Sequence, residues 1–187
     1  MNIITIAEHS VDMAILPANA AILDLGCRGF LFANHLKQLG HTVVAVDIEN
    51  LSNIDDDNFY QVAITNYNGK CGVLTSSDPQ ATKIKEGNEI DCYTLEEFSR
   101  LIDIPFWDLI KIDIEGSEYE VIMSLTKAPA TQLSIEFHLH TGIYGIDLVN
   151  EMVKYLQILG YEIVQHELTE AHGCGYNYWD SLFILKS

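Results

Sequence analysis

Residues 20–49 constrain this chain more than any other stretch, because they set two strand-like runs around one helical pattern. Ala20-Ala21-Ile22-Leu23-Asp24-Leu25 is a short apolar run that closes on an acid and a glycine. Phe32, Leu36 and Leu39 follow at i, i+4 and i+7, the spacing of one helix face. Gly40 ends the pattern as a C-terminal glycine does. Val43-Val44-Ala45-Val46 is then continuously apolar, as in a strand buried on both faces. A β-α-β unit in roughly 30 residues is the building block of a parallel sheet.

The same alternation continues downstream. Residues 58–65 predict a third strand, and residues 66–89, rich in Asn, Gly, Ser and Lys, predict loops with a short hairpin near residues 72–75. Thr94 and Glu97 form a capping box for a helix whose buried stripe is Leu95, Phe98, Leu101 and Ile102, with Pro105 as the stop. Residues 108–114 predict the next strand. Ser117 and Glu120 read as a second capping box for a helix with Ile122 and Leu125 inward, and Pro129 separates it from a strand over residues 132–138. Residues 147–159 place Leu148, Met152, Tyr155, Leu156 and Leu159 on one helix face. Residues 161–168 and 178–185 predict two strands, antiparallel because so little chain joins them. The expectation is one domain over residues 1–187, a short N-terminal cap (1–19) on an α/β core (20–187). Its sheet is mostly parallel and ends in an antiparallel hairpin.

Composition narrows the partners. The chain has 187 residues, enough for one domain with a real core, and 48% hydrophobic residues argue against disorder. Ten basic residues against 27 acidic ones, 10 − 27, give a net charge of −17. That disfavours duplex nucleic acid and an anionic membrane surface, both of which need a basic patch. No apolar run approaches the ~18–20 residues that cross a bilayer, and residues 1–21 lack a signal-peptide pattern, so the expected location is cytoplasmic. Cys27, Cys71, Cys92 and Cys174 show no C-x-x-C spacing, which predicts free buried thiols.

In an open parallel sheet, ligands bind beyond the carboxyl ends of the strands where strand order reverses. Asp24-Leu25-Gly26-Cys27-Arg28-Gly29 runs from a strand into a turn that opens a helix, and glycine there lets backbone approach a ligand closely. Asp47, ending the next strand, can accept hydrogen bonds from both ribose hydroxyls of an adenosine cofactor. These features alone leave nicotinamide dinucleotides and S-adenosylmethionine both open. The G-x-G-x-x-G fingerprint is absent, because Arg28 stands where its second glycine belongs, and that tilts against a dinucleotide.

The segment Asp108-Leu109-Ile110-Lys111-Ile112-Asp113-Ile114-Glu115-Gly116-Ser117-Glu118 closely resembles the signature of the FkbM family of S-adenosylmethionine-dependent methyltransferases. Weaker landmarks occur in the family's order: Asp24 to Gly29, Val62-Ala63-Ile64-Thr65, Tyr93-Thr94-Leu95-Glu96-Glu97-Phe98, Leu133-Ser134-Ile135-Glu136-Phe137-His138, and Gly160-Tyr161. Two departures stand out: the Gly-Cys-Arg-Gly turn replaces the family's Gly-Ala-Asn-x-Gly, and the N-terminal region is short. The resemblance implies a Rossmann-like class I methyltransferase fold, a seven-stranded sheet with helices on both faces. It implies S-adenosyl-L-methionine as cofactor, held by Asp24, Gly26, Cys27, Gly29, Asp47, Ile48, Ala63 and Ile64. It also implies a small-molecule acceptor, a sugar or secondary-metabolite hydroxyl. A nicotinamide oxidoreductase and a non-catalytic binding protein that kept the fold are the rival readings.

Lys111 and Asp113 lie two apart, so they share one face of a central strand. A buried lysine needs a counter-charge, and Glu136 on the neighbouring strand is the candidate. Asp113, nearest the carboxyl end, is the first candidate to face the reactive methyl, with Lys111, Glu136 and His138 the other catalytic candidates and His138 the candidate general base. Glu115 opens the following loop, while Glu118 and Glu120 suit a helix N-terminus. No metal set is assigned; Asp113, Glu136 and His138, with His140 in the same i, i+2, i+4 pattern, are the residues able to hold a divalent ion. The aromatic loop His172-Gly173-Cys174-Gly175-Tyr176-Asn177-Tyr178-Trp179 lines the acceptor pocket or packs on its own sheet. Asp55-Asp56-Asp57 reads as a solvated loop.

Overall fold

The computed structural model describes residues 1–50, 56–74, 83–138, 145–171 and 176–186. The chain opens with an antiparallel hairpin, β1 (Ile3–Ile6) and β2 (His9–Asp12), then enters β3 (Ala21–Leu25), α1 (Leu31–Gln38), β4 (Thr42–Asp47) and β5 (Phe59–Gln61). A small sheet follows from β6 (Ala63–Ile64), β7 (Gly69–Leu74) and β8 (Lys83–Tyr93). The second half runs α2 (Leu95–Leu101), β9 (Trp107–Ile112), α3 (Glu118–Met123), β10 (Ala130–His138), α4 (Ile146–Ile158), β11 (Tyr161–Ala171) and β12 (Tyr176–Leu185).

The main sheet has seven strands in the order β11-β12-β10-β9-β3-β4-β5. β5, β4, β3, β9 and β10 are mutually parallel, and β12 joins β10 and β11 antiparallel. Both faces are covered, which is why Val43 to Val46 of β4 read as an unbroken apolar run. On one face Leu23, Leu25, Ile110 and Ile112 pack with Phe98, Val121, Ile122, Met152 and Leu156 of α2, α3 and α4. On the other, Ile22, Val43, Ala45 and Leu109 pack with Phe32 and Leu36 of α1 and with Ile6 and Val11 of the hairpin. Strand order reverses at β3, between β4 and β9, so the carboxyl ends of these three strands frame a crevice.

Several expectations are corrected. The third strand is split: residues 59–61 edge the main sheet, whereas Ala63 and Ile64 pair with Cys92 and Tyr93 in the small sheet. Residues 69–74 and 83–93 are paired strands and not mainly loops; few of their described side chains, Cys71 and Cys92 among them, are buried, so the apolar signal of a strand is weak there. The expected hairpin lies here, but its residue Thr75 falls outside the described residues. Leu39 and Leu101 are exposed, each sitting at the last turn of its helix where the apolar stripe has rotated off the core. Thr94 Oγ1 accepts from Glu97 N–H at 3.2 Å, but the Glu97 carboxylate grips Arg100 instead of reaching back. Ser117 gives α3 no side-chain cap. Cys27, Cys71 and Cys92 are buried free thiols, as expected; Cys174 lies outside the described residues. Asp56 pairs with Lys37 and so is not merely solvated, while Asp55 is outside the described residues. No helix among the described residues is long and apolar enough to cross a membrane.

The N-terminal hairpin is docked by a reciprocal amide clamp. Gln132 on β10 is fully buried; its Oε1 accepts from Asp12 N–H at 3.0 Å and its Nε2 donates to Asp12 C=O at 3.1 Å. The Asp12 carboxylate in turn accepts from the amides of Asn2 and Ala14. Gln132→Leu would strand two buried backbone groups, so we expect a loss of about 1–3 kcal/mol in urea unfolding. An unchanged midpoint would show that the hairpin does not depend on this clamp.

Candidate functional site

The turn after β3 is shaped by a close approach. Gly26 has φ +79°, and a Cβ built there would sit 1.7 Å from the Asp113 carbonyl oxygen, so only glycine fits between β3 and β9. Gly26 N–H and Cys27 N–H donate to Val46 C=O, and Asp113 N–H donates to Leu25 C=O. The ends of β3, β4 and β9 are thereby locked together. Beside them opens a cleft lined by Gly26, Arg28, Asp47, Ile48, Ala63, Ile64, Asp113 and Glu115 among others. Asp47 accepts from Arg28 N–H at 2.9 Å through Oδ2 and from Glu49 N–H at 3.0 Å through Oδ1. Each oxygen keeps a further lone pair. Burial pushes its pKa up, against the pull of those two amides.

Behind the turn lies a buried ion network. Lys111 is 4% exposed and stands directly across from Asp24 in the β3–β9 register. Its Nζ lies 3.0 Å from Asp24 Oδ1 and 3.1 Å from Asp113 Oδ2, and it donates to the Gly26 carbonyl at 2.8 Å. Burial pulls the ammonium pKa down, but Asp113 and Asp24 outweigh it and hold the group above its ordinary value. The expected counter-charge, Glu136, is not the one used: the parallel register sets Lys111 against Asp24 on one side and Ser134 on the other.

Around Asp113 the charges converge. Its Oδ2 also lies 3.4 Å from His9 Nε2, and its Oδ1 lies 3.5 Å from His138 Nε2. Burial would raise the Asp113 carboxyl, yet Lys111, His9 and His138 hold it well below the usual carboxylate range. His138 is 2% exposed; Nδ1 is 2.8 Å from Glu118 Oε1, while Nε2 lies 3.1 Å from Glu136, 3.5 Å from Asp113 and 3.6 Å from Glu115. Burial alone would lower the imidazole pKa; Glu118, Glu136 and Asp113 reverse that and raise it well above 6.5. That raised pKa favours the imidazolium, so His138 serves as the charge partner of the carboxylates around it. Glu115 is pushed up to about 7, first by burial and then by Asp113, Glu118 and Glu136, against the pull of His138. Asp180, opposite Glu136 in the β10–β12 register, is likewise raised to about 7, chiefly by burial.

The cleft thus brings together Gly26, Asp47, Ile48, Ala63 and Ile64, with Asp113 at the shared boundary. Asp24 and Cys27 are buried behind it, and Gly29 is exposed outside it, where an added Cβ would meet only the Leu31 side chain at 3.9 Å. Asp113, Glu136 and His138 converge as expected. Lys111 stands behind Asp113. Two sets of ligand-type atoms each lie within 4.8 Å of one another, His9–Asp113–Glu136 and Asp113–Glu115–His138, so carboxylate and imidazole are the donors on offer. His140 and residues 172–175 of the aromatic loop lie outside the described residues; Trp179 packs edge-on against His166 with centroids 4.0 Å apart. Sequence reasoning missed His9 and Asp180, which reach the site from remote strands with no local signal. It read Glu118 only as helix electrostatics, although the Glu118 carboxylate holds His138.

The family profile described as Methyltransferase FkbM domain matches residues 26–163. No curated protein sequence matches the chain. Among solved structures, the chain is similar to the 1,6-didemethyltoxoflavin-N1-methyltransferase of Burkholderia thailandensis, a structure with bound 1,6-didemethyltoxoflavin and S-adenosylhomocysteine. The TM-score is 0.50 at 12% identity, over 90% of this chain and 72% of that one. It is also similar to magnesium protoporphyrin IX methyltransferase from Synechocystis PCC 6803 with bound S-adenosylhomocysteine, with TM-score 0.51 and 13% identity over 90% and 74% of the two chains. These likenesses identify the fold as the class I Rossmann-like methyltransferase fold.

Gly26→Ala is expected to unfold the turn or cost well over ~1 kcal/mol, whereas Gly29→Ala should stay within about 0.5 kcal/mol; thermal melts of the pair check this. A second expectation concerns pH. The folded-state pKa of His138 is raised, so its stabilising contribution is complete below the unfolded value near ~6.5 and is lost as pH rises through the folded value. Ring NMR should find His138 still charged at pH 7.5, and a neutral ring there would contradict the electrostatic picture.

Proposed function

Since the chain belongs to the FkbM methyltransferase domain family, we propose that it moves a methyl group from S-adenosylmethionine to a hydroxyl oxygen of a small molecule, of the sugar or secondary-metabolite kind. The observation that carries the cofactor half is the cleft at the strand-order reversal. There Gly26 presents bare backbone, Asp47 offers two free lone pairs to ribose hydroxyls, and Ile48, Ala63 and Ile64 form an apolar wall for adenine. The structures of similar fold that contain S-adenosylhomocysteine support the same choice. A sulfonium donor is cationic, and the Asp47, Asp113 and Glu115 rim suits it better than a pyrophosphate.

Methyl transfer is an in-line displacement. The acceptor oxygen forms a bond to the methyl carbon as the carbon–sulfur bond breaks, and that electron pair stays on sulfur. The donor brings its own leaving group, so the protein mainly aligns the two and excludes water. Asp113, Glu136 and His138 would flank the acceptor, with Lys111 holding Asp113 in place. The hydroxyl proton passes to a carboxylate, and Glu115, at about 7 and on the cleft rim, has the matching basicity.

Calorimetry should show S-adenosylhomocysteine binding and no NAD binding, with Asp47→Ala weakening the former about 10–100-fold through loss of two charge-assisted hydrogen bonds. NAD binding alone would sink the reading. Labelled methyl transfer to a panel of a methyl glycoside, a phenol and matched amines should mark the hydroxyl compounds. Label on the amines alone would refute O-methylation.

A further inference from the structure

We infer that Glu118 is a positioning residue of the acceptor side, a single buried carboxylate that sets the His138 ring and the Glu115 loop relative to each other. This rests on the methyltransferase reading above for its purpose, though not for its geometry.

Glu118 is fully buried. One of its oxygens, Oε1, meets three groups: it accepts from Ile114 N–H and Gly116 N–H, both at 3.2 Å, and faces His138 Nδ1 at 2.8 Å. A helix cap would use only the first two. The third comes from β10, 20 residues away, so the carboxylate joins two strand ends. Ile114 and Gly116 flank Glu115, which has φ +53°, a left-handed conformation that a residue with a Cβ holds only under constraint. The two amide bonds to Glu118 supply that constraint on either side. At His138, a carboxylate at Nδ1 fixes that nitrogen as N–H and fixes the ring plane, leaving Nε2 aimed at Glu136, Asp113 and Glu115. The 3.6 Å separation of Glu115 and His138 at the cleft is thus set from behind by a residue that does not line the cleft.

The test reads the ring and the loop directly. In the wild-type protein, 15N-resolved NMR should show a protonated, slowly exchanging His138 Nδ1–H; a bare Nδ1 would overturn the inference without any variant. In Glu118→Gln the amide oxygen is an uncharged and weaker acceptor, so that resonance should shift upfield and exchange faster, and the Ile114 and Gly116 amides should exchange about tenfold faster, the equivalent of one charged hydrogen bond. S-adenosylhomocysteine affinity should stay within about twofold, since Asp47 and Gly26 are untouched. Unchanged ring and amide signals in Glu118→Gln would overturn the inference. Wild-type protein that fails to bind S-adenosylhomocysteine would instead sink the methyltransferase reading, with the Glu118 geometry still judged by the NMR signals.

Discussion

One buried ammonium organises this molecule. Removing Lys111 from water costs several kcal/mol unless its charge is met closely, and Asp24, Asp113 and the Gly26 carbonyl all meet it within 3.1 Å. Those three partners come from β3, from the end of β9 and from the glycine turn. The ion that makes Lys111 tolerable therefore also fixes the distance between the cofactor-side turn and the acceptor-side carboxylate. Gly26 completes the fit, because a side chain there would collide with the Asp113 backbone.

The acidity of the chain has a place as well as a sign. Asp113, Glu115, Glu118, Glu136 and Asp180 gather at the carboxyl edge of one sheet, while Lys111 and His138 supply the local positive charge. The consequences differ by position. Asp113, beside Lys111 and His138, is held well below the usual carboxylate range, whereas Glu115 and Asp180, buried beside other acids, are raised to about 7. A rim of that kind favours a cationic donor and disfavours a phosphorylated acceptor.

Much of this could be read from the chain, and the parts that could not have physical reasons. Strands buried on both faces announce themselves, so β3, β4, β9 and β10 were legible, as was the placement of Lys111 and Asp113 on one face of a central strand. The counter-charge was misassigned to Glu136 because strand register is invisible in a sequence, and register is what sets Asp24 opposite Lys111. β7 and β8 were hidden by their polar outer face. His9 reaches Asp113 across 104 positions through a hairpin with no periodic pattern. At position 118 the local pattern points only to helix electrostatics, because the carboxylate's partner His138 arrives from a different strand.

The central claim is that the Lys111 charge holds the two halves of the site together, and equilibrium urea unfolding of Lys111→Met tests it most directly. Methionine keeps the bulk and removes the charge, leaving Asp24 buried and uncompensated. The account requires a loss of about 3–5 kcal/mol in unfolding free energy. A variant within about 0.5 kcal/mol of the wild type would contradict it.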